Sequence, residues 1–486
     1  EPPTELVAMA NGSITKGKPV ILKTDGDFEQ VKANITSISY SNGSEEEISA
    51  GWLDMHSVTY DTVLNRFLVV YRDQDASNYG YSNSFTVSNN TISNIVSGSA
   101  FNTNTTTILD SCYVGDSKHV VIYKNSSSYL VARCITLASD GSTTEGTANV
   151  IYSTNTNTRG SCYYDSKVGA VVIVTSFGFD NYKAQVGAVY VSGTSLPAGS
   201  WVANPSNETD CYYFSSSYDE EAQIGLVAYG SDNNKSVFNT INITDNYNTV
   251  SWNTDVTFSN YKSRISADGM TYDPKTKKHL CLFADDQNSN DLYGIVATVS
   301  GTSVTHGTKA VISTDNNDNI FGCQGTDGGG ISYAHRGQAS PYYLKGGVAT
   351  ISGTSFTLTN SNTYNSTNVG SNMSVSFAYQ PSDYTTLAVY EENGAHDLQG
   401  LAIIPEGSIT TLNLTANNFI GFAQDTVADN EDVKVKVISQ SDENQTGLTT
   451  ASQYYVQTDG TLSTTAGTPS VLGGTALSST KILIKS

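Results

Sequence analysis

The chain has 486 residues, with 46 acidic against 25 basic side chains and a formal net charge of -21. Its Lys and Arg are scattered, so a polyanion would be repelled and nucleic acid is excluded as a partner. No run of about 18 apolar residues occurs, which excludes insertion in a membrane by a helical span. Charged residues make up only 15%, while Gly (41) and Tyr (30) are abundant alongside Ser, Thr and Asn. That composition describes short strands joined by turns rather than amphipathic helices, so an all-β fold is expected. No signal-like pattern stands at the start, and an opening Glu1 without Met suggests a processed or missing N-terminus.

In chain order, segment 1–31 carries the alternating apolar run and tight turn of GKPVILKTDGDF. The next segment, ANITSISYSNGSEEEISA (33–50), reads as a fourth strand with no unit in front of it. An internal repeat then begins. Its first strands read SVTYD (57–61), SCYVG (111–115), SCYYD (161–165), DCYYF (210–214), GMTYD (269–273), GCQGT (322–326) and SFAYQ (376–380). The spacing is roughly 50 residues.

A β-branched, aromatic second strand follows each: RFLVVYRD, KHVVIYKN, GAVVIVTS, AQIGLVAYG, KHLCLFADD, GGISYAHR and TTLAVYEE. A third strand ends in a Gly-containing hairpin in several units, as in GAVYVSGTS and GIVATVSGTS, and the fourth is short and polar. Four strands repeated at this period predict a seven-bladed β-propeller over 32–411. The seventh unit runs into SITTLNLTANNFIG, which matches no other fourth strand. The orphan strand within 34–49 is therefore expected to close the last blade and remove an exposed edge. The leftovers, 1–31 and 412–486, would together form one small β domain, since neither alone has much core to bury.

The unit seen in SVTYDTVLNRFLVVYRD, and in GMTYDPK with YGIVATVSGTS, resembles repeats in tail-fibre-like structural proteins of tailed phages, many of marine type. The ends are similar too, in AMANGSITKGKPVILKTDG, LTANNFIGFAQD and GLTTASQYYVQTDGTLSTTAGTPSVLGGTALSSTKILIK. The resemblance covers nearly the whole chain. It implies a virion or extracellular location, and other virion proteins or copies of itself as partners. No catalytic or receptor residue is carried over with it. Units two, four and six depart from TYD, which leaves a common role for that Asp open.

Cys112, Cys162, Cys211 and Cys323 align in one slot that holds Val58, Met270 and Phe377 in the other units. A slot accepting Val, Met or Phe is an apolar packing site, so the cysteines are expected as buried thiols, with Cys134 and Cys281 alongside them. No CxxC spacing, EF-hand pattern or other ligand set occurs, so neither metal nor cofactor is expected. The acidic stretch TDNNDN (314–319) is read as a solvated turn.

Loops between second and third strands mix aromatic rings with Asp, Asn and Gln. A sugar needs that combination, an apolar surface for its C–H face and directional groups for its hydroxyls. Tyr79, Tyr129, Phe177, Phe179, Tyr182, Tyr293, Tyr342 and Tyr343 are the ligand-binding candidates. The expected function is receptor binding of tail-fibre type, with a host-surface glycan as partner. The alternatives are an architectural decoration or filament subunit, and a polysaccharide-degrading enzyme. For the last, Asp73, Asp75, Asp285, Asp286, Glu391 and Glu392 supply carboxylates, but no GxSxG, HExxH or Asp-box motif appears, so no catalytic residue is assigned. Sequons such as Asn11, Asn125, Asn242 and Asn365 are no more frequent than this Asn- and Ser/Thr-rich composition supplies by chance.

Overall fold

The computed structural model describes all residues except 1–4, 207, 232–234, 245–248, 287–288, 315–319, 338–341, 371–374, 382–383, 459, 468 and 486. The backbone alone is described at 33–41, 179, 360–362, 365–367 and 404–412. The acidic stretch at 314–319 lies almost entirely outside the described residues. The regular elements named among the described residues are β-strands and one short 3-10 turn, Gly178–Asp180. They divide into two compact units, Ile38–Glu406 and a second formed by Glu1–Ser37 with Gly407–Ser486.

The larger unit is a succession of antiparallel sheets, numbered here one to seven in chain order. Their first strands are Leu53–Asp61, Thr107–Tyr113, Thr156–Asp165, Cys211–Asp219, Met270–Asp273, Phe321–Gly325 and Ser376–Gln380. In each sheet the chain then meanders outward through a second and a third strand. The second strands are the most apolar for a physical reason. In sheet three, Ala170–Phe177 is buried at every position, because one face packs within its own sheet pair and the other against the neighbouring sheet. First strands touch in cyclic order, and that of sheet seven packs against that of sheet one.

In sheet seven the third strand, Leu398–Leu412, pairs with Ala33–Asn42 and Glu46–Ser49 from the start of the chain. Ile48 thereby joins a core that also holds Leu53, Val58 and Phe67 of sheet one and Leu387, Val389 and Leu398 of sheet seven. An edge that would otherwise expose unpaired N–H and C=O groups is covered.

The repeated Asp has a local role that its side-chain bonds make plain. Asp61 Oδ1 accepts from the N–H groups of Val63 (2.8 Å) and Leu64 (3.0 Å). Asp219 Oδ1 does the same for Glu221 (3.0 Å) and Ala222 (2.8 Å), and Asp165 for Lys167 and Val168. Each closes the turn into the second strand as an Asx cap. The preceding Tyr reaches toward the neighbouring sheet: Tyr218 Oη donates to Asp165 Oδ1 at 2.9 Å, and Tyr272 interacts with Asp219 in the next pair. Burial raises the carboxyls of Asp165 and Asp219 above their ordinary range, against these hydrogen bonds.

One alignment in the repeat is corrected. Asp219 pairs with Ile224 as Asp165 pairs with Ala170 and Asp273 with Lys278, so the fourth unit ends in SSSYD rather than DCYYF. Ser216 takes the shared slot, and Cys211 lies at the strand's start opposite Ser231. Two aromatic words occur in that one strand, and only cross-strand pairing distinguishes them. All six cysteines are free thiols; Cys112 is half-buried and the rest are buried.

The smaller unit has two sheets of its own. One interleaves Glu5–Met9, Pro19–Leu22 and Phe28–Gln30 with Phe419–Ala423 and Asp432–Val437. The other is wholly C-terminal and includes Gln453–Val456, Val471–Ala476 and Ile482–Ile484. Ile21 and Val31 share a core with Leu414, Phe422, Val456 and Ile482, so both chain ends contribute to it.

Candidate functional site

Pairing in the first strands slips at one level of the larger unit. Register shifts fall between Asp54 and Ser57, Ile108 and Asp110, Thr156 and Gly160, and Cys211 and Tyr213. In sheet five the strand is broken outright into Ser263–Arg264 and Met270–Asp273. Each bulge turns side chains out of the ladder, a device common beside binding sites. Together they line a cavity of about 130 Å³ that includes Met55, His56, Asp110, Arg159, Ser266 and Asp268. It shares Asp110, Ala267 and Asp268 with a larger cavity of about 280 Å³, to which all seven first strands contribute.

Asp110 is the hub of this region. Its Oδ1 accepts from Ser57 Oγ (3.1 Å) and the Ser111 N–H (2.8 Å), and its Oδ2 from Ser161 Oγ (3.2 Å) and the Cys162 N–H (2.8 Å). One carboxylate therefore ties sheets one, two and three. Burial pushes its carboxyl up to about 6 despite those four donors. Asp268 lies well above the ordinary range, from burial first and then from the charge of Asp110. His56 donates through Nε2 to the Val389 carbonyl (2.9 Å), and burial lowers it to about 4. Asp110 and His56 thus bridge sheets, although His56 Nδ1 is buried with no hydrogen-bond partner among the described residues. No group of three or more His, Cys, Asp or Glu suited to a metal ion occurs among the described residues.

Two clusters at the same end present chemistry outward. In the first, Trp52 is 50% exposed and stacks on His396 with ring centroids 5.1 Å apart and planes 15° from parallel. Carboxylates flank it. The Trp52 N–H donates to Asp75 Oδ2 (2.9 Å) and the Gly51 N–H to Asp397 Oδ1 (2.8 Å), so both are held in place by backbone. Their other oxygens have no hydrogen-bond partner among the described residues. His396 adopts a φ of 61°, uncommon for a side-chain-bearing residue, and its Nδ1 contacts the buried Glu391 carboxylate. Arg72 forks onto Asp54 beneath, and Gln74 Nε2 joins at 2.7 Å.

The second cluster spans sheets three to five. Tyr182 and Tyr212 lie 5.3 Å apart, the Arg159 guanidinium sits 4.5 Å over the Tyr213 ring, and Lys262 Nζ lies 5.5 and 5.9 Å from the rings of Tyr212 and Tyr213. Tyr182 has φ 52° and Asp210 φ 53°, so the chain is held in left-handed turns there.

The aromatic candidates do not converge on one site. Tyr182 enters the second cluster, and Tyr342 lies under Arg336, 4.1 Å from its guanidinium carbon. Tyr79 and Tyr343 are half-buried, and Tyr129 is exposed. Tyr293 is buried beside Lys309, which pairs with Asp285. Phe177 is corrected from surface platform to core: it is 0% exposed, sandwiched by Tyr152 at 4.0 Å and Trp201 at 5.1 Å. It ends an apolar strand, and the strand's packing continues one residue further than its loop-like context GFD suggests. The Phe179 side chain lies outside the described residues. Trp52, Tyr212 and Tyr213 were not singled out from sequence. GWLDMH carries the only signal for the first, a Trp standing before a strand.

No family model and no curated protein matches the chain. Among solved structures it is similar to the BP39L lectin from Burkholderia pseudomallei, at TM-score 0.53 and 12% identity over 79% of this chain and 100% of that one. It is similar to the periplasmic gluconolactonase of Pseudomonas aeruginosa, at TM-score 0.45 and 11% identity, covering 74% and 95%. The Aleuria aurantia lectin in complex with Fucalpha1-6GlcNAc follows at TM-score 0.39 and 11% identity, covering 64% and 96%. The BP39L likeness defines a fold: an all-β, multi-sheet architecture that resembles β-propellers.

Proposed function

We propose that the chain is a seven-bladed β-propeller that binds glycan at the end where its bulges and Trp52 lie. The observation that carries this reading is the half-exposed Trp52 ring, stacked on His396 and flanked by Asp75 and Asp397. A rigid apolar plane beside carboxylate oxygens suits the C–H face and the hydroxyls of one sugar ring. The lectins among the similar folds support the reading as analogy. The carrier we infer is a virion structural protein of tail-fibre type, non-catalytic and located on the particle, on the strength of the repeat and terminal motifs. Weak single sites would then be reinforced by several copies per particle.

The test is a glycan array probed with the intact chain, followed by calorimetry on the best ligand. Trp52→Ala is expected to weaken binding by about 2 kcal/mol, the scale of a central aromatic anchor, with an unchanged thermal melt. A blank array, or full binding by the variant, would overturn the reading.

A further inference from the structure

We infer that the cavity of about 130 Å³ at the bulged end binds a short neutral polyol, whose hydroxyls meet His56 Nδ1 and Ser266 Oγ. Such a site stands independently of glycan binding at Trp52. Both side chains line the cavity, at 5% and 3% exposure, and neither atom has a hydrogen-bond partner among the described residues. A buried polar atom without a partner is costly, so two of them on one cavity call for an occupant. The His56 lone pair is held in place. Its Nε2 lies 2.9 Å from the Val389 carbonyl, which can only accept, so Nε2 carries the proton and Nδ1 is left as an acceptor. Burial lowers the imidazole to about 4, which keeps it neutral at pH 7. Ser376 Oγ donates to the His56 backbone carbonyl at 3.1 Å, and Met55 before it turns through a φ of 47° inside the first bulge.

What the cavity leaves open is uncharged. Asp110 lines it too, but its oxygens already accept from Ser57, Ser111, Ser161 and Cys162. Asp110 and Asp268 would oppose an anion, and Arg159 on the same wall would oppose a cation. An imidazole lone pair needs a donor and a serine hydroxyl gives or takes one, so an alcohol answers both. The remaining wall favours a carbon chain over water. Ile108, Leu109, Phe214 and Ile265 supply a buried apolar surface that suits C–H groups and offers water no hydrogen bond. The volume corresponds to about four waters at about 30 Å³ each, enough for a short run of hydroxyls. Thr158 on the wall is exposed and gives the cavity an opening.

The test uses the intact chain, labelled with nitrogen-15 at histidine, and four probes: erythritol, maltotriitol, dimethoxyethane and ethanolamine. Saturation-transfer NMR reads binding, and long-range proton–nitrogen spectra read the His56 ring. Erythritol is expected to bind and to shift the Nδ1 resonance, because a hydroxyl donates to that lone pair. Dimethoxyethane has no donor and should not bind. Maltotriitol carries the same run of hydroxyls on a saccharide end; tighter binding by it makes the occupant a glycan terminus, and weaker binding a free polyol, the site standing in both cases. Ser266→Ala should weaken erythritol about tenfold, the worth of one hydrogen bond, while Trp52→Ala leaves it unchanged. The Nδ1 reading is made on the parent chain, so it decides the matter even where Ser266→Ala does not fold. Equal binding by dimethoxyethane, tighter binding by ethanolamine, or an unmoved Nδ1 resonance in excess erythritol would overturn the site, the last by showing that the cavity holds water alone.

Discussion

Asp219 shows how one side chain serves two levels of structure. Its Oδ1 caps a turn through two N–H groups, and the same carboxylate interacts with Tyr272 of the neighbouring sheet. Ala at this position would leave two N–H donors to find other partners in a buried place. Asp219→Ala is therefore expected to lose about 2–4 kcal/mol, and Asp219→Asn clearly less, in urea unfolding. Equal stability of the Ala variant and the parent would show that these contacts are not needed. The TYD word was visible in the sequence, but its purpose was not. The partners lie two and three residues on and in the next repeat, so the word looks the same whether it binds a ligand or ties a turn. Trp52 presents the converse case. It belongs to no repeat, and its exposure depends on where His396, far along the chain, is folded beneath it.

Strands and their bulges form the next scale. The alternation and β-branched runs located the second strands well, since burial on both faces demands a continuous apolar segment such as Ala170–Phe177. They could not locate the bulges. A bulge is a count mismatch between two strands, and no single strand records it. The sheet-seven joint depends on such a two-strand property as well. Gly400 pairs with Glu46, and a Cβ placed there would lie 2.6 Å from Ile92 Cδ1 and 2.8 Å from Ile48 Cδ1. Gly400→Val should push Ile48 out of its core and lift the Glu46–Ser49 strand. A melting temperature lowered by several degrees is the expected outcome, with faster hydrogen exchange confined to Glu46–Ser49 and its partner strand. An unaltered exchange pattern would mean that the strand is not held by this contact.

Over the whole molecule, acid stability follows from buried imidazoles. His279, 0% exposed, shares a 2.6 Å hydrogen bond between Nδ1 and Ser217 Oγ, and burial lowers it to about 3; His56 is lowered to about 4. Each is neutral when folded but takes up a proton near 6.5 when unfolded, so its contribution is complete above 6.5 and is lost as pH falls through that range. Asp110, raised to about 6, works in the other direction: its contribution is present below 3.8 and disappears as pH rises through 6. The variant His279→Gln isolates one of these opposed effects. Between pH 6 and 4 its stability should fall less steeply than the parent's, by about 1.4 kcal/mol per pH unit, the worth of one proton. Parallel slopes in the two urea series would show that His279 is protonated in the fold.

By itself the sequence determined the all-β class, the repeat and the apolar second strands, because composition and period are properties of the chain read in one dimension. The tertiary structure decided which word of the fourth unit is equivalent to TYD, that Phe177 packs inward, and that Trp52 meets His396 while Arg159 and Lys262 meet two tyrosines. Those outcomes depend on pairing register and on contacts between residues remote in the chain. Neither leaves a local trace, since a side chain's surroundings are set by the strands that fold against it.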